Sequence, residues 1–343
     1  MKFVDLHAEY LFYKEDIDKN LNEVIESGRY LLGPQLQKLE KSFAELVEKD
    51  IAVGVKNCTD AIMLVLKRVH KQNMPIVIPN FGAYPTAVAC KNISDNIHYV
   101  DVDRTGTMDV SKLPDVRNGI VIPVHMFGNN CDMDGVMQYA KENNHIVVED
   151  CAQSTGSGSG RRGEYSVFSF YPTKPLASMG DGGMICTNRH EGEYFRKVRF
   201  YGQSGDSVEL VGINSRMDEF QSAIVNAKIS RFKELIGVRR EICKRYLEVS
   251  KGIDWRKDSV FHQFVVLVDS RDKYLKDLQK EEIPYMIHYP RHVSELESLG
   301  GFNGEVGYRF NDKCVSLPCH PFMEEDDIQK VEEFLWNHRE YEV

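Results

Sequence analysis

A lysine and an aspartate near the middle of the chain each follow an apolar segment that is typical of a buried strand. Asp150 ends the segment at 146–150, and Lys174 comes shortly after the segment at 167–170. A carboxylate and an amine at the ends of two strands can hold the two ends of one cofactor. The amine can form a Schiff base with an aldehyde, and the carboxylate can keep a ring nitrogen protonated. Pyridoxal 5′-phosphate needs this pair, so we expect it as the cofactor.

Several short segments accompany this pair in a definite order along the chain. They lie at residues 3–6, 33–34, 57–61, 123–128, 132–134, 149–153, 169–174, 180–183, 212–216 and 287–290. Each segment alone is a weak signal. Together, over residues 3 to 335, they resemble the sugar aminotransferases of the DegT/DnrJ/EryC1/StrS family. The resemblance implies the aspartate-aminotransferase (type I) fold of pyridoxal-phosphate enzymes.

The resemblance implies roles for three residues beside the cofactor ring. Lys174 is expected to form the Schiff base. Once the amino donor has displaced it, Lys174 is expected to move the proton between the substrate carbon and the cofactor. Asp150 is expected to keep the ring nitrogen protonated, so that the ring withdraws electrons. Gln153 is expected near the ring hydroxyl, and the alternative is a helix-start glutamine without that role. We therefore predict Lys174 and Asp150 as the catalytic residues.

A phosphate site is expected where a predicted helix begins after the apolar segment at 51–55. The first amides of a helix have no partners within it and lie at the positive end of its dipole, which favours an anion. Thr59 adds a hydroxyl there, and the resemblance implies a second hydroxyl at Ser169. Cys58 is also expected to contact the cofactor. It stands where most relatives have glycine, so we expect a different approach of the backbone.

The residue that covers the face of the cofactor ring is less clearly marked. Many relatives have an aromatic residue four positions after a proline, but here Pro79 is followed by Ala83. Tyr84 comes next, and Phe81 lies two positions before Ala83. We favour Tyr84 as the ring that covers the cofactor. The alternative is that both rings belong to the core.

The segment at 212–216 is expected to reach into a neighbouring subunit. By resemblance, Asn214 contacts the cofactor phosphate there, and Arg216 holds the carboxylate of the amino donor. Arginine suits this task because its planar fork bonds both carboxylate oxygens. The alternative is an ordinary surface loop. The resemblance also implies that His288 and Tyr289 line the sugar-nucleotide side, and that the active unit is a homodimer with sites shared between subunits.

The order of apolar segments predicts an α/β protein. Strand-like and helix-like segments alternate through the first two thirds, which indicates a mostly parallel, mixed sheet flanked by helices. We predict a large cofactor-binding domain over 1–250 and a small C-terminal α+β domain over 251–343. Within them, we expect one long helix from Met217 toward Leu247 and a strand at 285–289.

Composition narrows the class of protein further. The net charge of −9 disfavours nucleic-acid binding, which needs a basic surface. Apolar runs stay below the length of a membrane-spanning helix, so we expect no membrane partner. The eight cysteines contain no C-x-x-C pair, so we expect reduced thiols, no metal site and a cytoplasmic location. His125 is interpreted as a structural histidine.

The resemblance implies transamination of a nucleotide-linked keto-6-deoxyhexose, with L-glutamate as the amino donor. The product is an amino sugar for glycan or polysaccharide biosynthesis. A dTDP-linked 3-keto sugar is the favoured substrate, and a 4-keto sugar is the alternative. A sugar dehydratase is disfavoured, because known relatives of that kind have histidine where Lys174 stands. A non-catalytic regulator with the same fold is disfavoured because the site residues are intact.

Overall fold

A computed structural model describes residues 1–299 and 310–343. The helices of eight or more residues are α1 (Leu6–Ser27), α2 (Pro34–Val47), α3 (Cys58–Val69), α4 (Tyr84–Lys91), α5 (Met133–Asn143), α7 (Glu219–Ile229), α8 (Phe232–Val249), α9 (Arg271–Lys280) and α11 (Glu325–Asn337). Shorter helices are α6 (Gly192–Val198) and α10 (Phe310–Lys313). The strands are β1 (Ile51–Val55), β2 (Ile76–Pro79), β3 (Ile97–Val100), β4 (Ile120–Val121), β5 (Ile146–Asp150), β6 (Tyr165–Ser169), β7 (Gly183–Thr187), β8 (Gln203–Ser204), β9 (Ser207–Val208), β10 (Phe264–Leu267) and β11 (Cys314–Leu317).

Seven strands form one sheet, in the order β1-β7-β6-β5-β4-β2-β3. The neighbours from β6 to β3 run parallel, and β7 runs antiparallel to both β1 and β6. The predicted fold class, a mostly parallel mixed sheet flanked by helices, is confirmed. The carboxyl ends of the parallel strands lie at one edge, where α/β proteins place their ligands.

Both faces of the sheet are buried, as the continuous apolar strands require. Successive side chains of a strand point to opposite faces. Accordingly, Val167 and Ile185 belong to one apolar cluster with α3, whereas Phe168 and Met184 belong to another with Phe43 of α2. The strands that carry the site are therefore held from two sides, which makes their ends rigid points of attachment.

Several of the long helices begin after a residue whose side chain accepts a free backbone amide. Asn57 accepts the Asp60 amide at the start of α3, and Asp218 accepts the Gln221 amide at the start of α7. The start of α2 depends on a distant residue: the buried Glu219 carboxylate accepts three backbone amides there, at 2.7 to 3.0 Å, from Gly33, Gln35 and Leu36. A carboxylate is stabilising at this position because it complements the helix dipole.

A smaller unit follows the large sheet. Its antiparallel pair β10–β11 packs in one apolar cluster with α9 and α11. Ile242, Cys243 and Tyr246, from the second half of α8, belong to the same cluster. The domain boundary near residue 250 stays a prediction, and α8 contributes to the core on its C-terminal side.

Two of the predicted elements are wrong. The long helix expected from Met217 toward Leu247 is two helices, α7 and α8, interrupted at 230–231. The interruption coincides with a change of packing partners, because Ile224 of α7 packs with α1 and the end of α8 packs in the small unit. The strand expected at 285–289 is reduced to a single bridge between Met286 and Ser316. Pro284 and Pro290 bound that segment, and proline has no backbone donor for a sheet.

Over 1–299 and 310–343, the apolar length needed to cross a membrane is not reached by any helix. The eight cysteines are all free and buried, in line with the expectation of reduced thiols. Their locations in the core explain why they are spread through the chain without pairing.

Candidate active site

A cavity of about 280 Å³ lies at the carboxyl edge of the parallel strands. It is lined by six of the residues that the sequence singled out, together with residues from β2, the start of α4 and the turn before β7. The six are Cys58, Thr59, Asp150, Gln153, Ser169 and Lys174. Residues that are far apart in the chain thus meet in one cavity, as the α/β topology predicts.

Asp150 is the last residue of β5 and is buried. Its Oδ2 accepts a hydrogen bond from the Thr86 hydroxyl at 2.7 Å, and its Oδ1 accepts the Ala152 amide at 3.0 Å. The Cys58 thiol also lies 4.0 Å from Oδ1. Burial, and then the charge of Asp150, raise the pKa of Cys58 well above its ordinary value, so the thiol stays protonated. Donors therefore surround Asp150.

Lys174 lies in the turn after β6, where its backbone amide bonds the Tyr171 carbonyl at 2.8 Å. Burial lowers the pKa of the Lys174 amine, and the negative charge of Asp150 partly opposes this effect. A lowered pKa leaves more of the amine unprotonated, which is the nucleophilic form. The amine can therefore attack an aldehyde at a lower pH than an exposed lysine.

The amino end of α3 borders the same cavity. Asn57 caps the helix, and Thr59 and Ser169 bring hydroxyls to the lining. Gly183 allows this arrangement: a Cβ on it would lie 2.5 Å from the carbonyl carbon of Asn57, so only glycine lets β7 approach the helix start so closely. Free helix amides and two hydroxyls suit a phosphate group.

Gln153 has an orientation set by its neighbours. Its Oε1 accepts the Phe127 amide at 2.8 Å, so its Nε2 must face the other way and donates to the Tyr289 hydroxyl at 3.1 Å. Burial raises the pKa of Tyr289 to about 12, which keeps its hydroxyl protonated. Since Tyr289 accepts from Gln153, its own proton is available to another acceptor.

His288 lies beside this pair. Its ring nitrogens contact Gln263 at 3.1 Å and Ser316 at 3.0 Å. Burial and the positive charge of Lys174 lower the pKa of His288 to about 4, so the ring is neutral at physiological pH. The roles of His288 and Tyr289 in binding a substrate stay predictions.

The aromatic residues near Ala83 are divided between the cavity and the surface. Phe81 is buried, at 1% exposure, and lines the cavity, whereas Tyr84 is 36% exposed and is not among the lining residues. Tyr84 still influences Tyr289 electrostatically, so it lies near the rim. Its role as the cover of a cofactor ring stays a prediction.

Asn214 and Arg216 are not brought to the Lys174 cavity of their own chain. They line a second cavity of about 310 Å³, and Asp181 lines both cavities. Arg216 donates to Asn214 at 3.1 Å, and its guanidinium lies 4.4 Å from the centre of the Phe200 ring. These contacts orient the arginine, and its terminal nitrogens make no hydrogen bond within the described part of the chain.

The structural role predicted for His125 is confirmed by its contacts. His125 forms a buried pair with Glu149 at 3.0 Å and accepts the Cys131 amide at its other nitrogen. Although burial opposes it, the hydrogen bond from His125 lowers the pKa of Glu149 to about 2. Cys151 lies close to this pair, a grouping that could hold a metal. However, Glu149 already accepts the amides of Gly160, Arg162 and Gly163.

Two residues near the site were missed in the sequence. Thr86 was passed over because a threonine inside a helix is usually unremarkable, and its partner Asp150 is 64 positions away. His262 is buried, and its Nδ1 has no hydrogen-bond partner among the described residues. Burial and the charge of Lys174 lower the pKa of His262 well below its ordinary value. Nothing in the sequence around His262 indicated that it would lie near Lys174.

The mixed sheet, with a lysine and an aspartate in one cavity at its carboxyl edge, defines the type I fold of aminotransferases. A solved structure of DesV from Streptomyces venezuelae, in complex with a ketimine intermediate, superimposes with a TM-score of 0.92 at 29% identity. The match covers 99% of this chain and 98% of that one.

A sequence model of the DegT/DnrJ/EryC1/StrS aminotransferase family matches residues 12–335, and the chain belongs to this family. One relative is the UDP-2-acetamido-2-deoxy-3-oxo-D-glucuronate aminotransferase of Pseudomonas aeruginosa. It is 30% identical, over 96% of this chain and 98% of the relative. Another is the dTDP-3-amino-3,6-dideoxy-alpha-D-galactopyranose transaminase of Aneurinibacillus thermoaerophilus, 32% identical over 96% and 97%. The family predicted from the sequence is confirmed.

Proposed function

We propose that this protein is a pyridoxal-phosphate-dependent aminotransferase that converts a nucleotide-linked keto sugar into an amino sugar, with L-glutamate as the amino donor. The observation that carries the proposal is the cavity shared by Lys174, Asp150 and the start of α3. These groups supply an amine, a carboxylate and an anion site. Pyridoxal phosphate carries an aldehyde, a ring nitrogen and a phosphate, so the donor set fits it.

The cofactor supplies an electron-accepting ring, and the residues of the chain do the rest. Lys174 Nζ would bond the aldehyde carbon with loss of water, and once the amino donor has displaced it, the free amine would move a proton from one carbon to another. Its lowered pKa suits this work, because a base must be unprotonated to accept a proton. Asp150 would hold the proton on the ring nitrogen, and Gln153, whose Oε1 is taken by the Phe127 amide, would donate from Nε2 to the ring hydroxyl.

The phosphate is held by Cys58, Thr59 and Ser169 with the first amides of α3. Cys58 and Ser169 are buried, which limits the access of water and strengthens hydrogen bonds to an anion. The segment with Asn214 completes the phosphate site from the other subunit of a homodimer, and Arg216 binds the carboxylate of glutamate there. In support, both residues lie outside the Lys174 cavity of their own chain, and the terminal nitrogens of Arg216 have no hydrogen-bond partner among residues 1–299 and 310–343.

The favoured sugar is a 3-keto-6-deoxyhexose linked to dTDP. The relatives support amination at carbon 3: two are named for 3-oxo or 3-dehydro sugars of UDP, and three are named for 3-amino sugars of dTDP. His288 and Tyr289, beside Gln153, are the residues proposed to line the sugar side. The UDP-linked 3-oxo sugars are a second candidate, because two relatives of about the same identity are named for them.

One experiment tests the function and the substrate together. The purified protein, loaded with pyridoxal phosphate, should show a visible absorption band that glutamate shifts. Addition of a keto sugar should restore the band and yield an amino sugar detectable by mass spectrometry. The panel should contain dTDP-linked 3-keto, dTDP-linked 4-keto and UDP-linked 3-oxo sugars. A band that glutamate leaves unchanged would contradict the amino donor, and the absence of any band would contradict the enzyme.

A further inference from the structure

We propose that Thr86 is a positioning residue, which orients the Asp150 carboxylate toward the ring nitrogen of the cofactor. The inference rests on the proposed function, because it concerns the cofactor that Lys174 is proposed to bind. It assigns a role to a residue of α4, whereas the residues proposed above for the cofactor phosphate and aldehyde come from α3, β6 and the turn after β6.

The contact is direct and buried. Thr86 is the third residue of α4, is 8% exposed and lines the cavity. Its Oγ1 donates to Asp150 Oδ2 at 2.7 Å, a short distance that is typical of a hydroxyl bonding a charged oxygen. A hydroxyl has one proton to donate, so this bond uses it.

The hydrogen bond from Thr86 also fixes the last side-chain torsion angle of Asp150, which the backbone does not determine. The last torsion of an aspartate side chain is broad, so the plane of its carboxylate rotates easily. One hydrogen bond, from the Ala152 amide to Oδ1, does not fix that plane by itself. A second bond, from Thr86 to the other oxygen, does. The Cys58 thiol also faces Oδ1, at 4.0 Å, whereas Oδ2 keeps a lone pair beside its bond to Thr86, so the plane is set by the fold before any ligand binds.

The hydroxyl of Thr86 has no competing structural task in the described part of the chain. The start of α4 has no side-chain cap: Ala83 is the cap residue, and Pro85 occupies the first turn. A threonine in a helix often bonds a carbonyl one turn earlier, but Thr86 bonds Asp150 instead. Removing the hydroxyl should therefore disturb the carboxylate and leave the helix in place.

The test compares Thr86→Val with Thr155→Val. Both substitutions keep the size and branching of the side chain and remove one hydroxyl. Thr155 is 1% exposed and lies five positions after Asp150, but its hydroxyl has no partner among the described residues, so it is a matched control. Thr86→Ser keeps the hydroxyl and should behave as the wild type. If Thr86→Val does not fold, Thr86→Ala compared with Thr155→Ala serves the same purpose.

The measurement is the titration of the ring nitrogen itself. Each variant is loaded with pyridoxal phosphate labelled with ¹⁵N in the ring, and the ¹⁵N shift is followed by NMR against pH. The ring nitrogen of Thr86→Val should lose its proton at a pH about one unit lower than the wild type, a tenfold loss of proton affinity. Equilibrium dialysis should show about tenfold weaker cofactor binding. Thr155→Val and Thr86→Ser should match the wild type in both measurements.

Two outcomes would overturn the inference. In the first, the ring nitrogen in Thr86→Val titrates at the same pH as in Thr155→Val. In the second, Thr86→Ser folds but its ring nitrogen does not titrate as in the wild type. Either would show that the hydroxyl does not set the carboxylate. Failure of the proposed function would look different, because the wild type itself would then take up no cofactor at Lys174. In an Asp150→Asn background, Thr86→Val should cause no further change, since the carboxylate it positions is gone.

Discussion

The Lys174 cavity and the segment with Asn214 and Arg216 differ in how much of a site one chain completes. The cavity gathers an amine, a carboxylate, two hydroxyls and a helix start in one enclosed space. The segment with Asn214 and Arg216 lines a separate, more open cavity, where Arg216 has an aromatic support but no anionic partner among the described residues. One region is ready to hold a ligand, and the other presents donors without a ligand partner.

This difference follows from the elements that carry the two regions. Strand ends in a sheet buried on both faces converge on one edge, so the residues after β5 and β6 must meet. The segment with Asn214 is instead held by a bridge from Phe200 to Asn214, by the bond of the Lys56 amide to the Ser215 carbonyl and by the start of α7, and Asn214 and Arg216 line the second cavity. We infer that one chain supplies the amine, the carboxylate and the helix start of the site, and that the second subunit of the proposed homodimer completes the phosphate site and binds the amino donor.

The largest effect is expected from Lys174→Ala, which should abolish turnover and leave the fold and its dimer intact. The substitution removes the amine that bonds the cofactor. The control is Lys67→Ala, an exposed lysine of α3 that should keep full activity. Borohydride reduction of the loaded wild type, followed by peptide mapping, should label Lys174. A label on a different lysine would show that the intrachain site has been placed wrongly.

Asp150→Asn should bind some cofactor but lose about a hundredfold or more in rate, equivalent to ~2.7 kcal/mol of transition-state stabilisation. The reason is that a neutral amide does not maintain the proton on the ring nitrogen. Steady-state kinetics against Asp115→Asn, an exposed control, measures the effect. If turnover stays within about threefold of the wild type, a loss of only ~0.7 kcal/mol, Asp150 does not have the role of keeping the ring electron-accepting.

Mixing inactive chains tests whether the second region acts across subunits. Lys174→Ala is mixed with a chain that carries both Asn214→Ala and Arg216→Ala. In a shared-site heterodimer, one site has both lesions and the other has none. Random pairing at equal amounts should therefore restore about a quarter of full activity, provided that binding is set by mass action among freely exchanging subunits.

Two controls make the mixing experiment decisive. Each parent must be inactive alone, and subunit exchange must be shown independently, for example by native mass spectrometry of chains that differ in mass. With both conditions met, no recovery of activity would mean that each chain builds its own site. The comparison between the two regions would then need another explanation.

The smallest effect is a shift in pH dependence. Burial lowers the pKa of Lys174 from its ordinary value of 10.5, while the charge of Asp150 raises it. The free amine is therefore present at lower pH, and the rate of cofactor uptake by the cofactor-free protein should rise with pH around a midpoint below 10.5. Asp150→Asn removes the opposing charge, so its midpoint should lie lower still. A midpoint at or above that of an exposed lysine would contradict the burial of the amine.

Much of the fold could be predicted because local patterns coincide with tertiary demands. The starts of α2 and α5 are marked locally, by Pro34 at the first position of α2 and by the Asp132 cap of α5. The single helix expected from Met217 was wrong because the interruption at 230–231 depends on a change of packing partners. Neither position is a proline or a glycine, so the sequence does not mark the interruption. The expected strand at 285–289 failed although Pro284 and Pro290 were visible in the sequence.

The site residues also fall into two groups, those that could be predicted from the sequence and those that could not. Lys174, Asp150 and Ser169 stand at the ends of apolar strands, so their meeting could be inferred from the topology of a parallel sheet. Thr86 and His262 could not be found in this way, because each lies close to a site residue that is distant in sequence, Asp150 and Lys174 respectively. Tyr84 shows the converse case: its aromatic character was visible, but its exposure was decided by the start of α4.

The sequence by itself determined the family, the alternation of strands and helices, and the types of chemical groups, because these depend on residue identity and local periodicity. Tertiary structure alone decided which of these groups share a cavity and which hydrogen bonds orient them. The pKa of Lys174 is lowered by burial, and the plane of Asp150 is set by Thr86 and Ala152. Burial and orientation depend on the packing of the whole chain, and no single segment contains that information.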